Sequence, residues 1–168
     1  MVYTHPNIPP GFDVPELILP APLIEFIFDT TRAAANMVLS GTLERHPDIQ
    51  PILSHAGGAI PYIAGRIALV DDNPLVSGNI PRGAIASLQR FYYDTALSAT
   101  RYALPSLKEL VDPTHILFGT DYPFAPEGMT GETISGLEDH GGFDATAKRA
   151  IERDNAARLF PRLGSTIA

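Results

Sequence analysis

Three side chains of ligand type stand at the ends of short apolar runs. His5 follows Val-Tyr-Thr, His55 closes Ile-Leu-Ser, and Asp121 follows Leu-Phe-Gly-Thr. If these runs are parallel strands, all three residues fall at carboxyl ends, the rim where parallel α/β architectures place their active sites. Neutral imidazoles and a carboxylate together can hold one divalent ion such as zinc, manganese or iron. Each residue also has a plainer reading. His5 is a terminal, solvated histidine, His55 a buried hydrogen-bonder that shapes the Ala-Gly-Gly turn, and Asp121 a turn or helix cap. The three placements together are much rarer than any one, but spacing alone leaves both readings standing.

Two further residues could join such a rim. Arg66 lies eleven residues after His55, and a guanidinium can grip a carboxylate with two parallel hydrogen bonds. Its plain reading is a surface ion pair. Asp94 ends the run Phe-Tyr-Tyr-Asp. It either faces the same rim or accepts backbone amides from the next loop. The other histidines read as structural: His46 at a helix end, His115 at the start of a strand on the opposite rim, and His140 solvated beside Gly141-Gly142.

Elements that would position these residues alternate along the chain. A very short strand, Met1–His5, is cut off by Pro6, and the prolines between 6 and 22 make that stretch irregular. A helix capped by Asp29, Thr30 or Thr31 carries the apolar face Ala33–Leu43 and stops at Pro47. Ile49–His55 reads as a buried strand and 59–70 as a helix with Pro61 in its first turn. Residues 82–90 form a short helix, Phe91–Leu97 a strand, 101–111 a helix and His115–Thr120 a strand. Helices follow near 131–139 and 144–153, and Asp154 or Asn155 caps a last one over Ala156–Leu159. Strand then helix, four times over, implies a parallel sheet with right-handed crossovers.

Composition narrows the class of function. The 168 residues are 45% hydrophobic and 18% charged, which fits one globular domain rather than a disordered chain. A formal net charge of -7 speaks against a nucleic-acid partner. With no cysteine there is neither a disulfide nor a thiolate metal site, and the chain suits the cytoplasm. The first residues do not read as a signal peptide, and no apolar run reaches the ~18 residues of a membrane span.

The motifs then become recognisable. His5-Pro6, Phe28-Asp29-Thr30-Thr31-Arg32, Ser54-His55-Ala56-Gly57-Gly58-Ala59-Ile60-Pro61 and Gly65-Arg66-Ile67 resemble the amidohydrolase-related (amidohydrolase 2) family, in its aminocarboxymuconate-semialdehyde decarboxylase-like branch. Phe91-Tyr92-Tyr93-Asp94-Thr95, Ile116 to Phe124 and Asn155-Ala156-Ala157-Arg158-Leu159-Phe160 continue the match in order. The resemblance implies an α/β fold, the C-terminal half of a TIM (β/α)8 barrel, with strands five to eight. It implies a divalent metal, zinc first and manganese second, held by His5 and Asp121. His55 and Asp121 are then the catalytic residues, His55 as acid–base group, and Arg66 binds the substrate carboxylate, in some members in a neighbouring subunit's site.

The implied reaction is decarboxylation of an aromatic or conjugated carboxylic acid by a homo-oligomer. A hydrolase of the same superfamily, or a non-catalytic half-barrel interaction module, is the alternative. The family's first-strand His-x-His pair has no counterpart before His5. The expectation is therefore one truncated domain over 1–168 that binds metal more weakly than a full barrel.

Overall fold

The computed structural model describes residues 1–8 and 20–164. Most of the proline-rich stretch expected to be irregular lies outside the described residues. Four short strands, β1 (Val2–Thr4), β2 (Pro51–Leu53), β3 (Tyr92–Asp94) and β4 (Ile116–Leu117), form one sheet in the order β1-β2-β3-β4. Every pair is parallel, with Tyr3 opposite Ile52, Ile52 opposite Tyr92, and Asp94 opposite Leu117. The strands are shorter than the apolar runs that announce them, because the last residues of each run turn out of the ladder to build the rim loops.

Strand alternation divides the sheet's side chains between two apolar clusters. Leu53, Tyr93 and Ile116 join the main core with the helices. Ile52, Tyr92 and Leu117 form a smaller cluster, covered by Ala156, Leu159 and Phe160 near the end of the chain. The helices are α1 (Pro22–Leu39), α2 (Thr42–Arg45), α3 (Ile60–Ile67), α4 (Ala84–Leu88) and α5 (Ala103–Leu110), then α6 (Glu127–Glu138), α7 (Ala145–Arg149), α8 (Asn155–Leu159) and α9 (Pro161–Gly164). No helix among the described residues is long and apolar enough to cross a membrane.

Several helix boundaries differ from expectation: the helix expected to stop at Pro47 breaks at Ser40–Gly41 into α1 and α2, and α6 starts at Glu127 rather than near 131. Helix α1 starts at Pro22, well before Asp29, because proline suits a first turn, where its missing N–H would be unpaired anyway. Asp29 does accept an amide, but from Asn7, so it ties down the segment after β1. Thr31 accepts Ala59 N–H while donating to the Ile27 carbonyl, which pins the start of α3 to α1. Near the C-terminus, α7 runs through a π-helical stretch, Ala150–Asp154, directly into α8. Asp144 caps α7 by accepting Ala147 N–H, and no new cap forms at Asp154 or Asn155.

Asn155 is instead wholly buried. Its Nδ2 donates to the carbonyls of Pro113 and Ile116 at 2.8 and 2.7 Å. Phe118 N–H donates to the Ile151 carbonyl. The outer edge of β4 is thus closed by the chain's own helices.

Two stability predictions follow from this packing. Asn155→Ala leaves two carbonyls without their partner and should lower the unfolding free energy by about 2–3 kcal/mol, read from the denaturant midpoint. Gly58 has a φ of 64°, and an added Cβ would lie 2.2 Å from the Ile27 carbonyl oxygen. Gly58→Ala should therefore cost at least as much, and would separate α1 from the His55 turn; wild-type stability in either variant contradicts the account.

Candidate active site

The register of the sheet brings the expected residues together. His5 follows β1, His55 opens a 3-10 turn (His55–Gly57) just past β2, and Asp121 lies beyond β4. One ligand-type atom from each lies within 4.8 Å of the other two. His5 Nε2 stands 3.4 Å from Asp121 Oδ1. His55 is buried, whereas the His5 side chain keeps 34% of its accessibility and Asp121 keeps 12%, so the cluster opens to solvent on the His5 side.

The hydrogen bonds define what these atoms present to one another. His5 Nδ1 lies 3.0 Å from the Pro6 carbonyl and His55 Nδ1 lies 3.2 Å from the Ala96 carbonyl. A carbonyl oxygen only accepts, so in each neutral ring Nδ1 carries the hydrogen and Nε2 a lone pair. His55 Nε2 is buried and has no hydrogen-bond partner. His5 Nε2 faces a carboxylate oxygen. Two imidazole lone pairs and a carboxylate therefore converge with no donor among them. Such a set calls for a donor or a cation between its members, and it matches the nitrogen–oxygen ligands of divalent-metal sites.

The backbone carries strain at the same places. His55, Ala56 and Asp121 have φ values of 54°, 54° and 66°, a region that non-glycine residues enter at a cost of about 1–3 kcal/mol each. The surrounding contacts hold them there. Asp121 O accepts Ala125 N–H, and Gly58 N–H donates to the His55 carbonyl. Phe26 meets His5 edge-on and Phe124 lies tilted against it, both at 5.7 Å between centroids.

Asp94 resolves in favour of its amide-bonding alternative, and it does so at this rim. Its Oδ1 accepts His55 N–H and Ala96 N–H. Its Oδ2 accepts the Tyr3 hydroxyl at 2.5 Å. Burial pushes the Asp94 carboxyl upward, against the hydrogen bonds that favour the carboxylate; burial likewise raises the Tyr3 hydroxyl, with Asp94 beside it adding to the shift. Tyr3 carries no ligand-type signal of its own in the sequence, although period-two alternation places it on the same strand face as His5.

Arg66 is not part of the cluster. It is exposed on α3 and makes no hydrogen bond or ion pair among the described residues. Tyr62 and Leu69, one turn to either side, are 87% and 81% exposed. His115 packs flat on Tyr92 and contacts the Phe91 carbonyl, as a structural histidine at the far end of its strand. His140, expected to be solvated, is half-buried, with its ring edge-on to Phe143. Its Nε2 is buried without a partner, and burial, then Lys108 and Lys148, pull its pKa down.

Comparison with known proteins identifies the chain's relatives. Residues 17–162 match the amidohydrolase family. The chain is 35% identical over 164 residues to 6-methylsalicylic acid decarboxylase of Penicillium expansum, covering 97% of this chain and 50% of that one. It is 30% identical to 2-amino-3-carboxymuconate-6-semialdehyde decarboxylase of Dictyostelium discoideum, covering 95% and 44%. The crystal structure of an amidohydrolase II superposes with a TM-score of 0.84 at 31% identity, over 94% of this chain and 50% of that one. The chain spans about half the length of the curated relatives it matches. Agreement of this extent in both sequence and backbone settles the kinship: the chain belongs to the amidohydrolase family, and its four β/α units are the C-terminal half of a (β/α)8 barrel.

Proposed function

We propose that this chain carries the His5–His55–Asp121 part of the active site of a metal-dependent decarboxylase for an aromatic or conjugated carboxylic acid. The observation that carries the proposal is the convergence of two imidazole lone pairs and a carboxylate with no donor among them. His5 and Asp121 would hold the ion, zinc in the first instance because the set is rich in imidazole nitrogen, and manganese in the second. A divalent cation in this set would supply the positive charge that stabilises an anionic substrate as its carboxylate departs.

The chain's own residues do the rest. His55 first takes a proton on Nε2, from solvent or from the substrate's own acidic group, and as imidazolium delivers it to the substrate carbon that bears the carboxylate, returning to its neutral form. Once that carbon is protonated, its bond to the carboxylate breaks, the electron pair returns to the ring and CO2 leaves. Phe26 and Phe124 supply apolar surface beside His5, suited to an aromatic ring. That the relative from Penicillium expansum is a decarboxylase of 6-methylsalicylic acid, a benzoic-type acid, supports this choice of reaction over hydrolysis.

Arg66 would bind the substrate carboxylate in a neighbouring copy of the chain. Its exposure between Tyr62 and Leu69 supports that reading, since the three residues form an outward stripe of the kind a homo-oligomer covers. In this reading residues 1–168 act as one unit of the barrel, in the cytoplasm, on a small-molecule acid.

Elemental analysis of the purified chain under metal-replete conditions should find close to one zinc or manganese per chain. His5→Ala and Asp121→Ala should each weaken binding at least about 100-fold. A metal-free wild type would overturn the metal site, while bound metal with no CO2 released from a panel of aromatic acids would overturn only the decarboxylase. Arg66→Ala should raise KM for the acid by about 10- to 100-fold with little change in kcat. An unchanged KM removes Arg66 from substrate binding.

A further inference from the structure

We infer that Asp94 is the positioning residue for His55, and that Tyr3 holds Asp94 in place for that task. The acid–base consequence rests on the proposed function, but the positioning itself does not. Asp94 is 3% exposed and stands where the ends of the strands meet. One oxygen, Oδ1, accepts both His55 N–H at 2.8 Å and Ala96 N–H at 3.0 Å. Ala96 in turn presents its carbonyl to His55 Nδ1 at 3.2 Å. A single carboxylate oxygen thus anchors His55 at its backbone and holds Ala96, the residue whose carbonyl receives its ring hydrogen.

The second oxygen fixes the carboxylate itself. The Tyr3 hydroxyl donates to Oδ2, so the carboxylate cannot rotate without breaking a bond at each end. Gly119 provides the space, because a Cβ there would come within 3.3 Å of Asp94 Cβ. The hold is needed because His55 sits at a φ of 54°, a conformation it would leave if its amide were released. Its effect is to keep hydrogen on Nδ1 and turn the Nε2 lone pair into the cluster, whereas an unconstrained neutral imidazole prefers hydrogen on Nε2.

The test reads the His55 tautomer directly in the full chain without added metal or substrate. Two-bond proton–nitrogen correlation spectra of 15N-histidine-labelled protein are recorded above the histidine titration range. Wild type should show hydrogen on Nδ1 alone. Asp94→Asn should keep that signature, because its amide oxygen can still accept both N–H groups. Asp94→Ala should lose it and move His55 to a mixture in which Nε2–H dominates. A role confined to bracing the sheet would not move the tautomer in a folded Asp94→Ala variant. Three results would overturn the proposal: Nε2–H in the wild type, loss of Nδ1–H in Asp94→Asn, or an unchanged tautomer in folded Asp94→Ala. If Asp94→Ala does not fold, the wild type and Asp94→Asn still decide. Because no metal or turnover enters the readout, failure here and failure of the decarboxylase assay are separate results.

Discussion

A buried carboxylate among hydrogen-bond donors is the constraint around which this rim is built. Taking Asp94 out of water disfavours its charge, which is why burial dominates its raised pKa. Two amides and a hydroxyl compensate, and each comes from a place the site needs held: β1 through Tyr3, the turn after β2 through His55, and the turn after β3 through Ala96. The neighbouring Thr95 extends the brace to β4, where its hydroxyl donates to the Gly119 carbonyl and accepts the Gly119 N–H. Removing such a carboxylate would leave several buried donors unsatisfied at once, so its contribution is not that of one hydrogen bond.

That brace makes a strained and electrostatically frustrated cluster tolerable. Positive φ angles at His55, Ala56 and Asp121, and facing acceptors on His5, His55 and Asp121, are unfavourable in isolation. The sheet beneath them is not strained. Leu53, Tyr93 and Ile116 are fully buried on one face, and the end of the chain covers Ile52, Tyr92 and Leu117 on the other. Rigid apolar layers below and a hydrogen-bonded rim above are the arrangement by which a fold can hold polar groups ready for a ligand.

The two edges of the sheet are unlike. The outer side of β4 is occupied by Asn155 and the Ile151 carbonyl, while on β1 Val2 and Tyr3 are 46% and 53% exposed and no described strand lies beyond them. An open edge is a place where a further strand can pair.

Order and type of the elements were open to reading, because proline, glycine and short apolar runs punctuate the chain regardless of its environment. The four strands, their parallel direction and the placing of His5, His55 and Asp121 at strand ends all follow from that local pattern. The start of α1 at Pro22 was not legible, since Asp29 looks like a cap until the structure shows its amide partner to be Asn7. Neither was the half-burial of His140, whose ring lies against Phe143 and the backbone of Gly142. Asp94 shows the division most clearly. From sequence it was a residue with two possible uses, because a carboxylate's role is set by which donors surround it. Here those donors come from residues 91, 39 and 2 positions away. Local sequence determined which chemical groups reach the rim. Only the tertiary structure, by bringing distant amides and hydroxyls within hydrogen-bond range, decided which way each group points and therefore what it can bind.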